Sequence, residues 1–362
     1  MRTAFGLAMA ATIAMALFAG GPAGAADLYT VKGVHVDQTA KSSAEARTIA
    51  QGAAQSLALS ELLKRLTLPE DWPSLPQVDA RTASDAVRGF AVASEKTSST
   101  RYIADLNVSF QPETVRRMLQ ARNIPFGETQ AKPAVLLAVL DKAGTRILWE
   151  DQNPWRDAWA AADIADAMTP LVMPMGDVQE FTMVTGAQAI AGDKTALAAL
   201  ATRYGADAVV VAHGVTDATG SKLDVTVTRY DPAGSGTPLH QTFQGVAGAQ
   251  TDDAFMTLAK GAASQMLLAL GEPWKREVVV RAGEQAQLTA SVYYSTLDQW
   301  EAIRKALGNA PLVDSMQING IAASGAEVDI RYHGTPDKLA LSLAQANIAL
   351  TQEADGWSLR LK

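Results

Sequence analysis

The chain holds no cysteine among its 362 residues. That excludes disulfides, thiolate zinc sites, cysteine nucleophiles and a lipid-attachment cysteine together. Positive charge is scarce: 31 Lys and Arg stand against 38 Asp and Glu, for a net charge of −7. A nucleic-acid grip needs a basic face to displace phosphate counterions, so no nucleic-acid partner is expected. Histidine is rare as well. His35, His213, His240 and His333 fall in different elements and share no metal-ligand spacing. HExxH, GxSxG and EF-hand patterns are all missing. The sequence therefore assigns no catalytic residue, no metal and no cofactor. Beyond the N-terminus, long apolar runs are missing too. The best, Ala206 to Val215, is about ten residues long and contains Asp207 and His213, so it reads as a buried strand and not a membrane span.

What is present is ample apolar material, 48% against 19% charged, enough for packed cores in two or three domains at roughly 150 residues each. The chain begins Met1-Arg2, followed by an apolar run from Ala4 to Ala19, a break at Gly20-Gly21-Pro22, and small residues at Ala23-Gly24-Ala25. This predicts a signal peptide over residues 1–25, cleaved after Ala25, and hence a periplasmic protein with no membrane span after cleavage. The alternative is the same run kept as an uncleaved anchor.

Three modules are expected after the signal, α+β and α/β in class. Residues 26–130 read β-α-(α)-β-β-α. An alternating strand at Leu28–Asp37 precedes a helix capped by Ser42 or Ser43, whose apolar positions include Ile49, Ala53, Leu57, Leu62, Leu63 and Leu66. Pro69–Gln77, with three prolines and Trp72, must be a loop. Residues 131–274 alternate strands and helices. Ala134–Leu140 and Asp207–His213 are buried strands, and Asp252–Leu270 is a long helix stopped by Gly271 and Pro273. This predicts a sandwich with a partly parallel sheet. Residues 275–362 read β-α-β-β-α-β, the order of a ferredoxin-like split βαβ sandwich.

Candidate chemistry is thin. Gly186–Thr195 resembles a phosphate loop, but the second glycine is one residue late and Asp193 precedes Lys194; a turn with Asp193 capping a helix explains it better. Asp252-Asp253, Asp163…Asp166 and Asp151 are the closest carboxylate groupings, and general acid–base work would need opposed geometry with one pKa raised. Asn107-Val108-Ser109 fits a glycosylation sequon by chance. His213 stands at the C-terminal end of a buried strand, where open α/β sheets place ligands. Trp149, Trp155 and Trp159 surround Asn153, Arg156 and Asp157, and could either anchor a helix or form an aromatic contact surface. Of the last pair, Trp159 is expected in the core and Trp155 exposed. Trp155, Arg156, Trp149, His213 and Trp72 are thus the candidate partner or ligand contacts.

The order Leu28-Tyr29-Thr30-Val31, Ala44-Glu45-Ala46-Arg47, Leu62-Leu63-Lys64-Arg65-Leu66, Leu106-Asn107-Val108-Ser109-Phe110 and Leu148-Trp149…Asn153-Pro154-Trp155…Trp159 resembles the DUF2066 family of bacterial envelope proteins. That resemblance implies no catalytic residues. At the level of fold, Ala198–Val211 is similar to a helix-then-strand segment of protein-binding envelope modules, which is analogy only. The function expected is therefore a non-enzymatic periplasmic role through protein or envelope contacts, an envelope protein being the partner envisaged. The alternative is a binding protein for a small solute or glycan, using a cleft near Trp155 and His213; a hydrolase is the third reading. The sequence leaves the oligomeric state open.

Overall fold

The computed structural model describes residues 28–245, 251–281 and 283–362. The signal segment expected at residues 1–25 lies outside them.

The first module contains β1 (Thr30–Thr39), α1 (Ser43–Leu66), a 3-10 turn at Pro69–Ser74, α2 (Ala80–Ala86), β2 (Val87–Thr97), β3 (Arg101–Phe110) and α3 (Pro112–Gln120). Its antiparallel sheet has the order β1-β3-β2. Ser42 caps α1 through its hydroxyl, satisfying one of the orphan N–H groups of the first turn. In the last turns of α1 Leu62, Leu63 and Leu66 are buried as expected, but the earlier turns bury a different stripe. Ala46, Ala50, Ala54 and Ala58 are fully buried, whereas Ile49 and Leu57 remain 46% and 56% exposed. Small side chains one turn apart let the helix sit close to β1 and β3, and that approach selects the alanine face. Strand β2 forms an open edge, with Phe90 and Val92 exposed.

The second module holds β4 (Ala134–Lys142), β5 (Thr145–Ile147), α4 (Pro154–Ala161), β6 (Leu171–Val172), α5 (Val178–Met183), α6 (Gly186–Ala191), α7 (Lys194–Arg203), β7 (Val209–Thr216), β8 (Lys222–Asp231), β9 (Gly234–Ser235), β10 (Leu239–Gln244) and α8 (Asp252–Val278). The sheet runs β10-β8-β7-β4-β5, with β6 also on β4 and β9 on β8. The β4–β7 and β4–β6 pairs are parallel and the others antiparallel. Alternation along the two central strands splits the core. Leu136, Ala138, Val210 and Ala212 face Trp155, Trp159 and α8. Val135, Leu137, Val209 and Val211 face Trp149, Val184 and α7. Both faces are covered, which explains the continuous apolar runs.

The third module contains β11 (Gln285–Tyr293), α9 (Leu297–Asn309), β12 (Val313–Ala322), β13 (Gly325–His333), α10 (Pro336–Gln345), β14 (Ile348–Glu353) and β15 (Gly356–Leu361). Its sheet order is β12-β13-β11-β15-β14. The split βαβ order is kept with a fifth strand. The turn at Ala354-Asp355 folds β15 back between β14 and β11, so β15 runs parallel to β11 and the sheet becomes mixed.

Helix α8 does not stop at Gly271-Pro273; it continues to Val278. Its last turns are held from outside, which outweighs the lost N–H of Pro273. The Trp274 indole N–H donates to Thr129 O at 2.7 Å, and Lys275 Nζ donates to Lys64 O (3.2 Å) and Thr67 O (2.7 Å). A cation from α8 thus closes the C-terminal carbonyls of α1, where the helix dipole is negative. The third module joins the same junction through the Phe126–Val280 bridge and the Thr129–Ser342 hydroxyl contact.

Lys275 is 1% exposed, and burial brings its ammonium down to about 8. Lowering a lysine pKa in the folded state is a cost at neutral pH. That cost is lifted as pH rises from the folded value toward the ordinary lysine range. Stability should therefore rise by roughly 2 kcal/mol between about pH 7.5 and 9.5. Denaturant titrations at the two pH values check this. The rise should vanish in Lys275→Met, and its persistence there would assign it to another group.

Candidate functional site

The residues singled out by sequence do not form one surface. Asn153 caps α4, its side-chain oxygen accepting from Trp155 N and Arg156 N. That start angle sends Trp155 and Trp159 into the sheet, both at 0% exposure. Their rings meet edge to face at 5.6 Å, and the Trp155 indole N–H donates to Ala212 O at 2.9 Å. Trp155 is core, not an exposed contact. The pattern that misled is the pairing of two tryptophans one turn apart beside polar residues, which suits either burial or display; the α8 layer covers both.

His213 lies on the opposite face of the sheet from Trp155. Its neighbours Ala212 and Gly214 point toward the tryptophan, and His213 points the other way. The cleft expected near Trp155 and His213 therefore does not exist, because the sheet lies between them. The His213 imidazole contacts Asp141 at 3.1 Å, and Asp141 is held by two bonds of 2.8 Å from Arg146. The Arg146 guanidinium keeps the Asp141 carboxyl below its usual range. Among the described residues no hydroxyl is hydrogen-bonded to His213. The cluster ties the β4–β5 hairpin to β7.

Trp72 is half-buried at the module junction, with Lys64 and Lys275 ammonium groups 5.5 and 6.0 Å from its ring centroid. It is a cation–π support for the α8–α1 clamp. Asp163 and Asp166 are likewise structural, paired with Arg65 at 2.8 Å and with Lys32.

Trp149 and Arg156 do come together, and they lead to the feature the sequence did not disclose. The end of β6, the turn that follows it and the first turn of α5 carry Val172, Met175, Val178 and Phe181, which are 41%, 81%, 79% and 46% exposed. Beneath this apolar knuckle the turn is tied down by a dense hydrogen-bond network. The carboxylate of Glu180, 0% exposed, accepts from Gly176 N (2.5 Å), Asp177 N (3.1 Å) and Tyr204 OH, and is ion-paired with Arg203 Nε at 3.5 Å. Asp177 and Glu180 form a capping box on α5. The Arg156 guanidinium donates to Pro174 O at 2.6 Å. Gly176 has φ +80°, and a Cβ there would approach Arg156 Nη1 to 3.2 Å, so the turn favours glycine. Trp149 is 8% exposed; its N–H donates to Val184 O at 2.8 Å and its ring meets Phe181 at 5.9 Å. Trp149 and Arg156 are supports beneath the surface, and the aliphatic and aromatic side chains above them are what solvent meets. The signal available in sequence was the Asp177-x-x-Glu180 box opening a segment with apolar residues but no helical face to bury them.

Residues 26–128 match a family described as "Domain of unknown function (DUF8605)". This corrects the DUF2066 resemblance: the first-module residues that suggested it fall within a different family's span. Alternating strands and an alanine-rich helix in β-α-α-β-β-α order are common to many α+β modules, so their order alone was not specific. No curated protein and no solved structure matches the chain.

Proposed function

We propose that this chain is a non-enzymatic binding protein of the bacterial envelope, which holds an apolar segment of a partner protein against the knuckle at residues 172–181. The observation that carries the reading is four large apolar side chains presented to solvent from the β6–α5 turn and its flanks, around a fully buried carboxylate that ties the turn down. Clustered exposed apolar residues mark interaction sites, and a fixed loop loses little entropy on binding. The apolar N-terminal run supports export to the periplasm, which mass spectrometry of the fractionated protein checks: a new N-terminus at Ala26 is expected, and an intact Met1 end would overturn it.

The docking test places a photo-crosslinking residue at Val178 in the full chain in cells. One or a few discrete adducts are expected, and they should disappear in the Met175→Glu/Phe181→Glu double variant. Phe181 touches Trp149 but is partly exposed, so the double variant should melt within a few degrees of the parent. Adducts that survive the double substitution, or a uniform smear in place of bands, would remove the knuckle from the binding surface.

A further inference from the structure

A cavity of about 530 Å³ opens on the other flank of α7, between that helix and the β8–β9 turn. Its walls are apolar: Leu197, Ala201, Val209, Tyr230 and Pro232. The Tyr230 ring reaches this position because residue 192 is glycine. A Cβ there, at φ +68°, would stand 2.5 Å from the ring. The volume falls in the range of small-molecule sites and is too small for a protein element.

The polar groups at the rim are unequal. Asp207 is paired with Lys132 at 3.1 Å. Asp231 is occupied by the turn, accepting from Ala233 N (2.9 Å) and Gly234 N (3.2 Å). Lys194, by contrast, has no ion pair or hydrogen bond from its ammonium among the described residues, and the Tyr230 hydroxyl has no hydrogen bond among them either. The two acids are engaged within the fold, while one cation and the hydroxyls of Tyr230 and Ser235 remain available to a guest. An apolar slot with an aromatic wall and an uncommitted cation at its mouth suits one kind of occupant. We propose that this cavity binds a small organic anion with a flat apolar body, the carboxylate, sulfonate or phosphate meeting Lys194 and the ring system lying against Tyr230. The site is separate from the knuckle and does not depend on its role.

The test uses the full chain and two fluorescent probes of nearly the same shape, anilinonaphthalene sulfonate and the neutral N-phenylnaphthylamine. Saturable binding at one site is expected for the sulfonate, tighter than for the neutral probe by about threefold, the scale of an exposed ion pair. Lys194→Met should abolish that preference. Ala198→Trp, at an exposed position of the cavity mouth, should weaken both probes by more than about tenfold at unchanged melting temperature. Thr202→Trp, also exposed on the cavity wall, serves the same purpose should Ala198→Trp disturb folding. Met175→Glu/Phe181→Glu should leave binding intact. Equal affinity for the two probes overturns the anion assignment. Binding that survives both cavity-mouth substitutions, or that disappears with the knuckle, overturns the site.

Discussion

Replacing Trp155 with Ala should destabilise the second module by about 3–5 kcal/mol, in the range found for large aromatic side chains deleted from cores. The ring is fully buried between β7 and α8, it meets Trp159 edge to face, and its N–H satisfies Ala212 O. Trp159 is equally buried, but its indole nitrogen has no hydrogen-bond partner among the described residues. The two positions should therefore part company on substitution by Phe. Trp155→Phe removes a ring and a hydrogen bond together, whereas Trp159→Phe removes a ring along with an unsatisfied buried donor. The unfolding free energy from denaturant titration should fall further for Trp155→Phe, by on the order of 1 kcal/mol. Added indole should recover part of the loss in Trp155→Ala by filling the cavity. A Trp155→Ala variant that melts like the parent would mean that the ring is on the surface after all.

Much of the architecture was readable because local rules and packing agreed. Ala134–Leu140 and Val209–Val211 are apolar on both faces, and they form the parallel pair β4–β7 at the sheet centre. Asp193 caps α7 through Thr195 N and Ala196 N, as the turn reading of Gly192-Asp193 required. What was not readable depended on residues far apart in the chain. The stop expected at Gly271-Pro273 was overridden by Lys275 and Trp274 reaching Thr67 and Thr129, contacts that no window of sequence contains. The site was read least well. Period-two alternation does separate His213 from Ala212 and Gly214, but the side on which Trp155 would arrive depends on how α4 crosses the sheet. The knuckle escaped because exposed apolar residues look like core in one dimension: Val178 and Phe181 are spaced as a buried stripe would be, and only the Glu180 network turns them outward.

Arg65→Met should cost about 3–5 kcal/mol, the loss typical of breaking a buried ion pair from one side. The Arg65 guanidinium is almost inaccessible. One end donates to Leu28 O (3.2 Å), Thr30 O (2.9 Å) and Asp166 O (3.3 Å), and the other to Asp163 Oδ2 at 2.8 Å. It joins α1, the start of β1 and the loop after α4 in a single fork, a geometry that Lys cannot reproduce. Burial already pushes the Asp163 carboxyl above its usual range despite the arginine, so removing the cation leaves a poorly solvated acid with little to hold its charge. The partner variant separates the two contributions. Asp163→Leu in the Arg65→Met background removes the stranded carboxylate and should recover a large share of the loss, while the three carbonyls remain without their donor. Recovery should be incomplete for that reason, because Arg65 works as a backbone clamp as well as an ion-pair partner. Unfolding monitored in the first and second modules by separate probes would then show the two transitions moving apart in Arg65→Met. Transitions that stay coincident with an unchanged midpoint would show that the junction draws its strength from α8 and Lys275 instead.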